Sequence, residues 1–305
     1  MKKSSRLVLL VVLIASIISF SCGPTTGPTP TTVPDSTTVP TQSATEVSAS
    51  TPTEPPPTGV PTPEGLPPLP PDPQKVEFEA ADGQKLVGTY YPAAVNPAPV
   101  VVLMHWAPGD ETDWRAIAPW LQNRGLEVAP DGAPWLEPSW FPPMLEGQSF
   151  AVFAFTFRGC EGGCSGGGPP GWLFDAKAAM KAASELDGVD PMRMAAIGAS
   201  IGADGAVDAC GDGCLGAMSL SPGSYLRVPY DEAVAEVDGA GKPAWCLAAE
   251  GDAESATACQ SASGNHYRMV MYEGSDHGMM LIRPDVSPKT LELTLEFLQL
   301  VFGLD

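Results

Sequence analysis

Met194-Ala-Ala-Ile-Gly-Ala-Ser-Ile-Gly-Ala-Asp-Gly205 is the stretch whose reading decides the architecture of this chain. Inside it lies Gly198-Ala199-Ser200-Ile201-Gly202, a G-x-S-x-G sequence. Met194 to Ile197 is a short apolar run of the kind that makes a buried strand, and Ile201 to Ala209 is small and helix-compatible. A serine caught between strand and helix sits on a turn so tight that the residues two positions away cannot carry bulk. Glycine at 198 and 202 meets that need. The turn would lift the Ser200 hydroxyl clear of the sheet and set the Ile201 amide at a helix start, where it can donate to a developing negative charge. In a Gly- and Ala-rich chain the five residues can also occur by chance, so the flanking elements and the partners supplied elsewhere must decide.

Upstream, Val76 to Ala80 alternates, Ala81-Asp82-Gly83 signals a turn, and Leu86 to Tyr91 completes a hairpin. Pro99 to Met104 is continuously apolar, as in a central strand buried on both faces, and runs into the loop His105 to Gly109. Trp114, Ile117, Ala118 and Leu121 predict a helix over 113–124. Phe150 to Phe157 is another buried strand, ending in Arg158-Gly159 and a Cys-Glu-Gly-Gly-Cys loop. A helix over 174–186 precedes the serine stretch. Strand 215–220, helix 231–237, strand 243–249, helix 253–263, strand 267–272 and helix 289–302 follow it. Such alternation requires parallel pairing through right-handed crossovers, which predicts an α/β fold with an open, mostly parallel sheet and helices on both faces.

Before this domain the composition differs. Lys2, Lys3 and Arg6 precede an apolar core from Leu7 to Phe20, the pattern of a secretory signal and too short for a comfortable membrane span. Small residues then lead into Cys22, which resembles the lipobox of bacterial lipoproteins, with Ser19 standing where that family usually has Leu. The resemblance implies a lipidated Cys22 at the mature N-terminus; an ordinary cleaved signal or an uncleaved anchor, with Cys22 incidental, are the alternatives. Residues 23–75 hold 16 of the 34 prolines, with many Thr and Ser. They cannot bury enough apolar surface to offset the entropy of ordering and read as an extended spacer. The organisation is therefore signal 1–22, linker 23–75 and a single domain 76–305, tethered outside the cytoplasm.

Asp and Glu outnumber Lys and Arg by 36 to 16, a net charge of -20. That balance argues against nucleic acid and against docking on anionic lipid by charge. Apart from Cys22 there are six cysteines, in the close pairs 160/164, 210/214 and 246/259. An even number in an exported chain points to disulfides; fifteen connectivities are possible and the local one is simplest. The rival is a zinc site, disfavoured by the flexible Gly-rich spacers and by a total of three histidines.

Taken together, Ala81-Asp82-Gly83 with Leu86-Val87-Gly88, the strand-end His105, Phe157-Arg158-Gly159, the serine turn, Glu250-Gly251-Asp252 and Asp276-His277-Gly278 resemble an α/β-hydrolase of the dienelactone-hydrolase-like kind. Dienelactone hydrolases carry a cysteine at the turn where this chain has Ser200, which shifts the expectation toward general esterase chemistry. Residues 126–148, rich in Trp and Pro, look like an insertion between helix and strand. A crossover returning to a parallel strand starts at the end remote from the site, so the insert is read as packing and not as a lid.

In that fold the order along the chain is Ser, acid, His. His105 precedes Ser200 and is left to shape the loop whose Trp106 amide would complete an oxyanion hole with that of Ile201. His266 starts a strand, at the wrong end of a parallel sheet. His277 follows the last strand on a polar loop and is the candidate base. Asp252 matches the family's acid position, with Glu250 as substitute and Asp276 as a weaker third. Arg158, Trp172, Met279 and Met280 stand on loops expected near the site and are candidate pocket residues. The resemblance implies an ester or acyl substrate, cleaved by Ser200 through an acyl-enzyme, and neither metal nor organic cofactor. A peptidase or amidase, or a silent cell-surface binding module, are the alternatives.

Overall fold

The structure is a computed structural model that describes residues 66–127 and 133–304. The signal segment, Cys22, the linker as far as residue 65 and part of the insertion lie outside the described residues. The strands are β1 (Gln74–Glu79), β2 (Lys85–Tyr91), β3 (Ala98–Met104), β4 (Ala151–Phe155), β5 (Val189–Ala199), β6 (Cys214–Leu220), β7 (Ala244–Ala249) and β8 (Tyr267–Tyr272). The helices are α1 (Ile117–Gln122), α2 (Gly171–Ser184), α3 (Ile201–Asp208), α4 (Tyr230–Gly239), α5 (Ala253–Ser261) and α6 (Thr290–Phe302).

One eight-stranded sheet runs in the order β1-β2-β4-β3-β5-β6-β7-β8. β1 and β2 form the expected antiparallel hairpin, β2 is antiparallel to β4, and every other pairing is parallel. All seven residues of β3 are buried. Val100, Val102 and Met104 face a core shared with α2 to α5, while Val101 and Leu103 face one shared with α1 and α6. That is why β3 reads as continuously apolar: a strand covered on both faces has no solvent side for polar residues to occupy.

Chain order and spatial order reverse at β3. The chain leaves β3 toward β4 on one side, and β5 lies on the other. α1, after β3, and α3, after β5, sit on opposite faces. The connections part there, and the carboxyl ends of the strands at such a switch point are the place where an open α/β sheet can admit a ligand.

Three expectations need correction. The helix over 113–124 is a 3₁₀ turn at Glu111–Trp114 followed by the short α1. Pro119 lies in the first turn of α1, where its missing N–H is tolerated, but its ring would clash with the carbonyl four residues back, so the helix cannot extend upstream through it. The domain also begins before Val76. Leu66 N–H donates to Asn96 O (3.0 Å), Arg124 to Leu69 O (2.7 Å) and Gln122 to Pro71 O (2.8 Å), strapping the end of the proline-rich stretch to the domain. Finally, the insertion does not stay remote from the serine. Phe141 does pack on Trp120 of α1, but Trp135 meets Trp106 edge-on at 5.3 Å between ring centroids, at the carboxyl end of β3.

The cysteines pair locally: Cys160–Cys164, Cys210–Cys214 and Cys246–Cys259. The second joins the end of α3 to the start of β6, and the third ties β7 to α5.

Candidate active site

Ser200 stands between β5 and α3 with φ 53° and ψ −116°, a backbone conformation that non-glycine residues adopt at a cost and that structures retain mainly at functional sites. The turn is held by Ser200 N–H donating to Leu220 O (2.8 Å) and by Ala203 N–H donating to Ser200 O (2.9 Å). Its two glycines are steric necessities. A Cβ at Gly198 would run into the backbone of Gly202, and one at Gly202 would lie 2.6 Å from the His105 carbonyl oxygen, both unyielding backbone atoms.

His277 leaves the loop after β8 and points its Nδ1 at Asp252 Oδ2, 2.6 Å away on the loop after β7. A carboxylate oxygen accepts, so Nδ1 is the donor in this pair and Nε2 is the ring nitrogen that Asp252 leaves unengaged. These two loops are knitted together: Glu250 N–H donates to Tyr272 O (2.9 Å) and Gly251 N–H to Gly274 O (2.7 Å). Of the other two carboxylates considered, Glu250 is exposed and Asp276 pairs with Arg283 at 2.7 Å. His266 is exposed at the amino end of β8, bonded to Asp238 at 3.2 Å.

The histidine loop lies against the serine turn. A Cβ added to Gly278, the residue after His277, would sit 3.7 Å from Ala199 Cβ and 2.9 Å from the Trp106 ring. Gly278 N–H donates to Ser221 Oγ (2.9 Å), a buried hydroxyl at the end of β6. Loops from β3, β5, β6, β7 and β8 thus converge on one small region above the sheet.

His105 is fully buried. Its Nε2 accepts from Phe157 N–H (2.9 Å) and its Nδ1 donates to Trp106 O (2.7 Å), so the ring bridges the ends of β3 and β4 in one fixed tautomer. Burial pushes its pKa down to about 4, and it stays neutral near pH 7. It shapes the Trp106 loop, as the sequence suggests. The Trp106 indole N–H donates to Asp113 (2.8 Å), and among the described residues neither the Trp106 nor the Ile201 amide has an acceptor.

The candidate pocket residues fare less well. Arg158 donates from Nε and Nη2 to Asp175 and from both terminal nitrogens to Asp82, at distances of 2.5–3.0 Å. It clips the β1–β2 turn to α2, a scaffold role that occupies its guanidinium. Met279 is fully buried in the core. Trp172 donates to Arg158 O (3.2 Å) and packs on the core around α2. Met280 alone stays half-buried beside the histidine, its N–H bonded to His277 O (3.1 Å).

Sequence reasoning missed Asp204, Ser221 and Tyr225. Asp204 is buried on α3, and its carboxylate accepts the N–H of Gly223 (3.1 Å) and that of Tyr225, fixing the loop after β6. Burial pushes its pKa up to about 6. Tyr225 then stands edge-on to His277, 6.4 Å between centroids. The one available signal was an acid, Asp204, among the small residues of the first turn of α3.

No family model matches the chain. A protein of Escherichia coli K12 named as the uncharacterized protein YfhR is 32% identical over 148 residues, 47% of this chain and 44% of that protein. The chain thus spans less than half the length of the curated relative it matches. Among solved structures, an esterase of Pyrococcus furiosus, Pf2001, superposes with a TM-score of 0.52 at 15% identity, covering 76% of this chain and 92% of that one. The α/β hydrolase GrgF from a Penicillium species superposes with a TM-score of 0.54 at 13% identity, covering 76% and 99%. At such identities the likeness concerns the fold, and the fold is that of the α/β-hydrolases.

Proposed function

We propose that the chain is a serine hydrolase of carboxylic esters. The observation that carries this reading is the Asp252–His277 hydrogen bond of 2.6 Å beside a serine on a strained strand-to-helix turn. In the proposed reaction Ser200 Oγ attacks the acyl carbon while His277 Nε2 takes its proton. Asp252 keeps the Nδ1–H tautomer and balances the imidazolium that forms. The amides of Trp106 and Ile201 receive the negative oxygen of the tetrahedral intermediate. The intermediate collapses as His277 returns the proton to the leaving alcohol. Water, deprotonated by the same nitrogen, then releases the acid and restores Ser200.

The Pyrococcus protein of similar fold is an esterase, which agrees with the ester assignment. A peptidase or amidase would use the same groups, and a binding module would leave them idle. Hydrolysis of p-nitrophenyl esters of graded chain length by the purified domain tests the reading: turnover abolished in Ser200→Ala supports it, and no turnover by the native domain on any ester removes it. The place of action is taken to be outside the cytoplasm, on a membrane held through Cys22 and the proline-rich spacer. Three disulfides suit an oxidising compartment.

A further inference from the structure

Two of the three disulfides close loops of the same sequence separation, 4 residues, yet they sit at opposite ends of the sheet. Cys210–Cys214 lies at the amino end of β6. Cys160–Cys164 lies at the carboxyl end of β4, next to the Trp106 loop. Its neighbours there are specific. Cys164 N–H donates to Ala107 O at 2.7 Å. Gly162 N–H donates to Asp110 Oδ2 at 2.8 Å, while the other oxygen of Asp110 accepts the N–H (2.9 Å) and hydroxyl (2.6 Å) of Thr112. Gly163 passes so close to Pro108 that a Cβ on it would lie 3.0 Å from the Pro108 carbonyl oxygen.

These contacts bracket the segment from Ala107 to Asp110, the continuation of the chain from the Trp106 amide. We infer that the Cys160–Cys164 loop, with Asp110, is a positioning device for the Trp106 amide, holding that donor at the site before a substrate arrives. The inference rests on the serine-hydrolase reading above. A loop of Glu-Gly-Gly between free cysteines has many conformations, and few of them present two N–H groups to Ala107 and Asp110 at once. The disulfide removes most of the others. An oxyanion donor is effective in proportion to how little it must reorganise in the transition state, so rigidity at this point acts on turnover and little on substrate binding.

The matched disulfide supplies the control. Cys160→Ser/Cys164→Ser and Cys210→Ser/Cys214→Ser each open a loop of the same length, so the loss of unfolded-state constraint is similar and any general effect on stability is shared. The expected result is a kcat lower by ~10-fold or more in the 160/164 variant, with KM within ~2-fold of the native value. Affinity for a trifluoromethyl ketone, which adds to serine and places an oxyanion at the donors, should fall in parallel with kcat. The 210/214 variant should keep native kcat. Asp110→Asn, which sets an amide N–H against one of the donors it served, should shift kcat and ketone affinity the same way with every disulfide intact. Equal kcat in the two cysteine variants overturns the inference. Should the 160/164 variant not fold, native kcat in Asp110→Asn overturns it instead. If Ser200→Ala retains turnover, the hydrolase reading itself fails and takes the inference with it; loss of turnover in Ser200→Ala alongside a native 160/164 variant refutes the inference alone.

Discussion

Asp252 Oδ2 and His277 Nδ1 are 2.6 Å apart although 25 residues separate them in sequence, because β7 and β8 are neighbours and their exit loops are bonded to each other. Asp252→Asn keeps the side-chain shape but can present an N–H to the imidazole, favouring the wrong tautomer and removing the charge. Turnover should fall by ~10²–10⁴-fold, less than on removal of Ser200. Glu250→Gln and Asp276→Asn should leave most activity in place. Steady-state kinetics on one ester decides among the three carboxylates.

Gly202→Ala should disable the protein through geometry alone. The new Cβ would meet the carbonyl of His105, inside the segment that carries the Trp106 amide. Relief requires moving β3 and α3 apart, at a cost of about 1–3 kcal/mol for overpacking. Thermal melts should record that loss, together with a fall in kcat larger than any change in KM.

The order and type of the elements were legible because β3, β4 and the half of β5 from Met194 onward are covered on both faces and so carry uninterrupted apolar runs, while the turn glycines mark the serine. The start of α1 was not, since apolar spacing from Trp114 to Leu121 suits a helix until the ring of Pro119 is considered. Asp252 and His277 could be picked out because both follow strands in the one chain order the fold permits. Arg158 and Met279 could not be placed, because position on a loop near the site does not say which way a side chain turns. Arg158 turns to two carboxylates, one of which, Asp175, lies 93 residues after the other, Asp82. The return of the insertion to Trp106 through Trp135 is a long-range aromatic contact that no local pattern announces.

Arg158→Met tests the scaffold role. It strands the fully buried Asp175 carboxylate, and breaking a buried pair in this way costs about 3–5 kcal/mol. The expected outcome is a large drop in melting temperature with KM for small esters unchanged in the protein that remains folded. A raised KM without loss of stability would return Arg158 to the pocket.

A buried histidine and a half-buried glutamate give opposite pH dependences. Burial holds His105 at about 4 in the folded chain against 6.5 unfolded, so the unfolded chain binds more protons and stability falls as pH drops from 6.5 toward 4, by on the order of 3 kcal/mol in full. Burial raises Glu111 from 4.5 to about 7, so the folded chain binds more protons and stability falls as pH rises from 4.5 toward 7. Glu111→Gln removes the second effect alone. Its melting temperature relative to the native protein should climb between pH 4.5 and 7; a constant difference across that range would contradict the assignment.

Cys22→Ala should stop processing of the precursor or release the protein from membranes, read by fractionation and by the mass of the mature N-terminus. A normally processed mutant that stays on membranes would remove the lipid anchor from the account.

The central claim is that Ser200 is a nucleophile activated by His277. Incubation of the purified domain with a fluorophosphonate, followed by mass spectrometry of the peptide containing Gly198 to Gly202, tests it most directly. The account predicts one adduct per chain, on Ser200, lost in His277→Ala while His105→Ala, if folded, and His266→Ala still label. A folded domain that takes up no label, or takes it up equally well without His277, would contradict it.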